Sequence, residues 1–196
     1  MDSKTDSDRS LLWRVLSKTL VADCKVFSVS SSRSESECPQ RKQANFFTLN
    51  CDPWVNVIAV DDRGSVLMIE QFRHGVGGLT LEVPGGCIDP TDADPLAGAV
   101  RELREETGCI SESWSSLGKN HPNPAIQDNV CYTFLAESVK QVEEPSFDHT
   151  GNERISSRYV PLNQVTELIR SGAISHALVI VAFHFLAIER PDLFSM

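Results

Sequence analysis

Arg101, Glu102, Glu105 and Glu106 fall within six consecutive residues, and chemistry is most readily found there. On a helix the three glutamates stand at i, i+3 and i+4, so they share one face. Leu96, Ala99, Val100 and Leu103 form an apolar stripe on the other side, which is expected to face a core. Three like charges this close repel unless water or a cation sits among them. Carboxylate oxygens at this spacing suit a hard, octahedral cation such as Mg²⁺ or Mn²⁺. Arg101 reaches Glu105 at i+4 and can hold one carboxylate in place. Gly98, one turn before Glu102, leaves space above them. A solvated helix face laced with salt bridges has the same pattern, and the neighbourhood tips the balance. Just upstream, Glu82-Val83-Pro84-Gly85-Gly86 follows a strand-like run and leads into the helix. Backbone at such a place can approach a phosphate or a metal closely.

The elements that position these residues follow from the surrounding pattern. Asp94 is an N-cap, Pro95 suits the first turn and Gly108 suits the position after the last, which predicts a helix over 95–107. Further helices are expected over 162–171, stopping at Gly172, and over 175–189, stopping before Pro191. Apolar runs at 54–60 and 65–70 flank Asp61-Asp62-Arg63-Gly64 and predict a β-hairpin. Strands are also expected at 79–83, 130–136 and 155–160. Towards the N-terminus, 13–20 and 46–49 have strand-like composition, and the Ser-rich, charged stretch 28–42 reads as the loop of a hairpin between them. The domain reading is a disordered tail over 1–10, an N-terminal β segment over 11–50 and a main domain over 51–196. Strands mixed with a few helices, without regular alternation, imply an α+β domain or α/β/α sandwich.

Composition narrows the function. The 196 residues suffice for one ordinary core, and 18 Lys and Arg stand against 27 Asp and Glu, a net charge of -9. That balance repels phosphate backbones and anionic lipid, so neither nucleic acid nor membrane is an expected partner. The six cysteines lack metal-ligand spacing and read as free thiols of a reducing cytoplasm. The first ten residues carry no apolar signal-peptide core, and the apolar stretch 177–188, interrupted by His184, is too short to cross a bilayer. His121 and His184 read as ordinary loop and helix histidines, and Phe72 and Trp54 as core aromatics.

The run Arg101-Glu102-Leu103-Arg104-Glu105-Glu106-Thr107-Gly108-Cys109 resembles the second half of the Nudix box, the signature of Nudix hydrolases. The first half departs from it. Counting back from Arg101, the box's Gly and Glu positions fall on Cys87 and Ala93, with Gly86 one residue early and Asp92 and Asp94 flanking Ala93. Gln71-Phe72-Arg73, Leu81 to Gly86, Asn152-Glu153-Arg154-Ile155 and Gly172-Ala173-Ile174 resemble the branch of the family that hydrolyses ADP-ribose and nucleotide sugars. In that branch a proline about fifteen residues past the box accompanies ADP-ribose hydrolysis, and Pro124 stands there.

The resemblance implies a Nudix-type α/β/α sandwich with a mixed sheet and a preceding β-hairpin. It also implies Mg²⁺-dependent attack of water on a pyrophosphate, with Mn²⁺ as a substitute, giving a nucleoside monophosphate and a sugar phosphate. Glu102 and Glu106 are then the first metal ligands, Glu105 a third ligand or an orienting group, the Gly85 carbonyl a further ligand, and Arg101 the orienter. Glu153 is the candidate general base. Arg73, Glu82 and Pro124 are candidate substrate contacts, and the branch commonly forms homodimers through N-terminal strands. Three other readings stay open: a GDP-mannose or UDP-sugar pyrophosphatase, a house-cleaning nucleoside triphosphate pyrophosphohydrolase, and a non-catalytic nucleotide-sugar sensor.

Overall fold

The computed structural model describes residues 9–146 and 154–195. It divides into two compact units, Met1–Asp52 with His121–Asn129, and Pro53–Asn120 with Val130–Met196. In the first unit a short 3-10 turn, Arg9–Leu11, precedes three antiparallel strands: β1 (Trp13–Asp23), β2 (Ser28–Ser36) and β3 (Gln43–Asn50), in the order β1-β2-β3. The Ser-rich stretch is therefore largely the central strand, where a hairpin loop was expected. Ser30, Ser32, Ser34 and Ser36 lie buried on one face, each beside a larger residue of β1. Ser32 sits between Lys18 and Phe46, and Ser34 between Val15 and Ala44. The 121–129 segment joins this unit where the Leu49 amide donates to the Ile126 carbonyl at 2.7 Å.

The second unit is built on β4 (Trp54–Val60), whose residues from Val55 onward are all buried. An unbroken run of Val, Ile and Ala is what a strand covered on both faces requires. β5 (Ser65–Arg73) follows through a tight turn in which the Asp61 carboxylate accepts from the amides of Arg63 and Ser65 at 2.9 and 2.8 Å. The expected hairpin forms only at this end, at Val60↔Val66. Beyond it the strands part, β5 pairing with β6 (Gly78–Glu82) and β4 with β7 (Gly85–Cys87).

Helix α1 (Pro95–Thr107) comes next, then β8 (Cys109–Ile110), β9 (Ser113–Asn120), β10 (Cys131–Glu137), β11 (Lys140–Gln141) and β12 (Ile155–Pro161). Helices α2 (Leu162–Arg170) and α3 (Ala177–Glu189) complete the unit. The main path of the sheet runs β12-β5-β4-β10-β9, with β4 and β10 parallel and the other pairs antiparallel. Alternate residues of β4 serve two cores. Val55, Val57 and Ala59 pack with Ala99 and Leu103 of α1, while Ile58 and Val60 pack with Leu162, Val165, Val179 and Phe183 of α2 and α3. That is an α/β/α sandwich with a mixed sheet.

Candidate active site

Helix α1 is fixed at both ends by the residues its sequence offers. The Asp94 side chain accepts from the Ala97 amide at 2.8 Å, and Gly108 closes the helix at φ 67°. A side chain at Gly108 would run into the Glu143 carbonyl, its Cβ only 1.9 Å away, so the position admits glycine alone. The face that α1 buries is not the expected stripe. Ala99 and Leu103 are fully buried, but Leu96 and Val100 are 36% and 40% exposed. They line an open groove of about 730 Å³ together with Arg101, Arg104, Glu105 and Glu143. The buried position beside Leu103 is taken by Glu106, 4% exposed, on a face expected to be polar and outside the core.

Glu106 is buried because it has a partner there, its Oε2 accepting from the Gly85 amide at 2.8 Å. Glu102 lies against the next residue. A Cβ built on Gly86 would stand 2.6 Å from Glu102 Oε1, so only glycine lets this carboxylate reach the backbone. Gly85 is equally constrained, since its Cβ would meet the Val55 carbonyl oxygen at 2.1 Å. Strand β7 and helix α1 thus bring Gly85, Glu102 and Glu106 to one spot.

Arg101 answers the repulsion among the glutamates. Its Nη1 donates to Glu102 Oε1 and Glu105 Oε2, each at 3.0 Å, so a guanidinium sits where a cation was expected. Nε and Nη2 donate to the two oxygens of Asp92 at 3.2 and 2.9 Å, and Nη2 also reaches the Cys87 carbonyl at 2.9 Å. The Asp92 hydrogen bonds raise the Arg101 pKa further above its ordinary value, and the same bonds hold the Asp92 carboxyl below the usual range. Asp92 is therefore the acidic partner of Arg101, although it stands one residue before the box position. Gly98 makes room for Asp92 rather than for the glutamates, its Cβ position lying 3.0 Å from Asp92 Oδ2.

The residues present fit a hard divalent cation. Two carboxylates and a backbone segment converge, and all the donors are oxygen. Among the described residues no three carboxylate, imidazole or thiolate groups close a shell from side chains alone. Mg²⁺ commonly takes one or two carboxylates, with waters and substrate phosphates for the rest.

Arg73 and Glu82 form a second cluster. Arg73 Nε and Nη2 donate to the two oxygens of Glu82 at 2.8 and 2.7 Å, and Thr80 Oγ1 donates to Glu82 Oε1 at 2.6 Å. Burial alone would raise the Glu82 carboxyl, but the Arg73 and Thr80 hydrogen bonds outweigh it and hold the pKa low. His176, just before α3, adjoins the group, its Nδ1 3.8 Å from Glu82 Oε2. Phe72, expected in the core, is 51% exposed and packs edge-to-face on His74, because the β5–β6 hairpin runs past the packed layers. Trp54 is half-buried. Pro124 belongs to the first unit, directly after Asn123, whose carbonyl accepts from Ile126 and Gln127. Glu153 lies outside the described residues.

The NUDIX domain model matches residues 52–183. The chain belongs to the NUDIX family of hydrolases. It is 29% identical over 126 residues to an ADP-ribose pyrophosphatase of Mycobacterium tuberculosis, a stretch covering 64% of this chain and 60% of that protein. To an ADP-ribose pyrophosphatase of Bacillus subtilis it is 28% identical over 135 residues, 69% of this chain and 72% of the relative. Among solved structures, an ADP compounds hydrolase superposes with a TM-score of 0.78 at 19% identity, over 92% of this chain and 95% of that one, a likeness of fold. Asp92, Thr80 and His176 are the residues of these two clusters that residue patterns do not single out. Asp92 carried the one usable signal, since it adjoins the vacant box position.

Proposed function

We propose that this NUDIX chain is a Mg²⁺-dependent pyrophosphohydrolase of ADP-ribose or a related nucleoside diphosphate sugar, releasing a nucleoside monophosphate and a sugar phosphate. The supporting observation is the convergence of Glu102 and Glu106 on the Gly85-Gly86 backbone. These three would hold the metal, the glutamates by carboxylate and Gly85 by its carbonyl. The cation would neutralise charge on the pyrophosphate oxygens, a contribution worth several kcal/mol. Arg101, tied to Asp92 and Cys87, keeps Glu102 and Glu105 in place. Arg73 presents a guanidinium already oriented by Glu82, suited to an anionic substrate group. Two ADP-ribose pyrophosphatases among the relatives favour that substrate over GDP-mannose, UDP-sugars or nucleoside triphosphates. The reading extends to a homodimer in a reducing, cytoplasmic setting, on the apolar N-terminal strands and the six scattered thiols.

The test is a panel of ADP-ribose, GDP-mannose, UDP-glucose, NADH, diadenosine polyphosphates and 8-oxo-dGTP, assayed with Mg²⁺ and with Mn²⁺ and resolved by product. Monophosphate plus sugar phosphate from ADP-ribose is the expected result. Monophosphate plus inorganic pyrophosphate from a triphosphate alone would overturn the substrate class. Binding without turnover under both metals would make the protein a sensor.

A further inference from the structure

Glu82, 3% exposed, has three good donors and one approach left open. Oε1 receives Arg73 Nε and Thr80 Oγ1, and Oε2 receives Arg73 Nη2. His176 Nδ1 faces the same Oε2 from 3.8 Å, too far for a hydrogen bond. Among the described residues that buried ring nitrogen has no hydrogen-bond partner. The backbone pins the residue, since the His176 carbonyl accepts from the amides of Val179 and Ile180 at 3.1 Å each. A neutral imidazole with its proton on Nε2 turns the Nδ1 lone pair toward a carboxylate, so two acceptors confront each other. The 3.8 Å gap suits that state.

We propose that His176 is a proton-gated positioning residue for Arg73. When Nδ1 takes a proton from solvent it becomes a donor, closes on the open lone pair of Glu82 Oε2 and competes there with Arg73 Nη2, which loosens the guanidinium edge for an anionic substrate. The groups that act on the ring are Glu82 from β6 and Arg73 from β5. Burial lowers the ring's pKa and Arg73 lowers it further, against the opposing pull of Glu82. An anion that neutralises Arg73 removes one of the two depressing influences, so substrate binding and proton uptake favour each other. The sign follows: KM falls as the pH drops through the pKa of the ring in the complex, and levels off below its pKa in the free protein. Each unit by which substrate raises that pKa lowers the limiting KM by about tenfold.

This coupling rests on the proposed function only for the identity of the anion, and the experiment separates the two. In full-length protein labelled at histidine, NMR titration follows the His176 ring, assigned by its loss in His176→Asn. Arg73→Ala should raise its pKa and Glu82→Gln should lower it. A titration indifferent to Arg73→Ala overturns the coupling, whatever the enzyme hydrolyses. With ADP-ribose and saturating Mg²⁺, KM measured from pH 8 to 6 should fall in the wild type and stay flat in His176→Asn, with the pH profile of kcat keeping its shape. The same slope of KM in both proteins also overturns the proposal. If no nucleoside diphosphate sugar is hydrolysed, the proposed function fails while the ring titration still decides whether His176 and Arg73 are coupled.

Discussion

At Glu106 a buried carboxylate and a backbone amide share one hydrogen bond, so a substitution there can disturb both chemistry and fold. Glu106→Gln separates the two. The amide oxygen still accepts from Gly85, so the melting temperature should stay close to wild type, while the loss of an anionic ligand should lower kcat by about 10²-fold or more. Near-normal turnover at saturating Mg²⁺ would remove Glu106 from the metal site. The base is a separate question. Among the described residues the Ser146 amide donates to the Glu105 carbonyl at 2.8 Å, and Ile155 pairs with Gln71. With Glu153 as the proposed general base, Glu153→Gln should reduce kcat by about 10²- to 10⁴-fold with KM nearly unchanged. If Glu153→Gln turns over normally and Glu105→Gln does not, the base sits on the helix. Asp92→Ala should weaken apparent Mg²⁺ affinity by about 10- to 100-fold through a loosened Arg101. A metal titration of activity reads that directly.

At the scale of elements, α1 was legible almost to the residue, because its start, stop and first-turn proline are local signals. The tertiary consequences were not. Glu106 is buried because β7 passes beneath it, and nothing within the helix reports that. The β2 serines alternate as strand residues do, but burial of so small and polar a side chain depends on its cross-strand neighbours. Strand β9 (Ser113–Asn120) went unread for the same reason, with only Leu117 fully inside. His176 joins Glu82 only once α3 has docked against the sheet. Gly98→Ala sets local against tertiary preference. A helix interior gains about 1 kcal/mol from the change, yet the new Cβ would press on Asp92 Oδ2 from 3.0 Å. Thermal melts should show little loss of stability while kcat falls, and a rise in kcat would contradict the Asp92–Arg101 linkage.

At the scale of the molecule, large exposed apolar side chains among the described residues are concentrated on the N-terminal strands. Val15 and Leu20 are 58% and 61% exposed, and on the same face of the sheet Trp13 stacks edge-to-face on Phe46, itself 44% exposed. An apolar sheet face of this kind marks an association site, and a second copy is the occupant we propose. Light scattering should give twice the chain mass, and Val15→Lys with Phe46→Lys should give monomers. A fully active wild-type monomer would contradict the dimer. Acid stability has a specific origin as well. Because the Glu82 pKa is lowered on folding, its contribution is complete above the unfolded value of about 4.5 and is lost as the pH falls through the folded value. Wild-type melting temperature should therefore drop in that window by more than that of Glu82→Gln.

The parallel pair at the centre of the sheet also bears on how the chain is made. Trp54 is in register with Cys131, and between β4 and β10 the polypeptide lays down five strands and the helix that carries Arg101. A ribosome releases the first half of this pair long before the second, so the apolar β4 must wait without its neighbour. Loop closure of that length is slow, and an uncovered apolar strand attracts other chains meanwhile. The slowest step of refolding should accordingly be the joining of β4 to β10, and amides of both strands should gain hydrogen-exchange protection together and last.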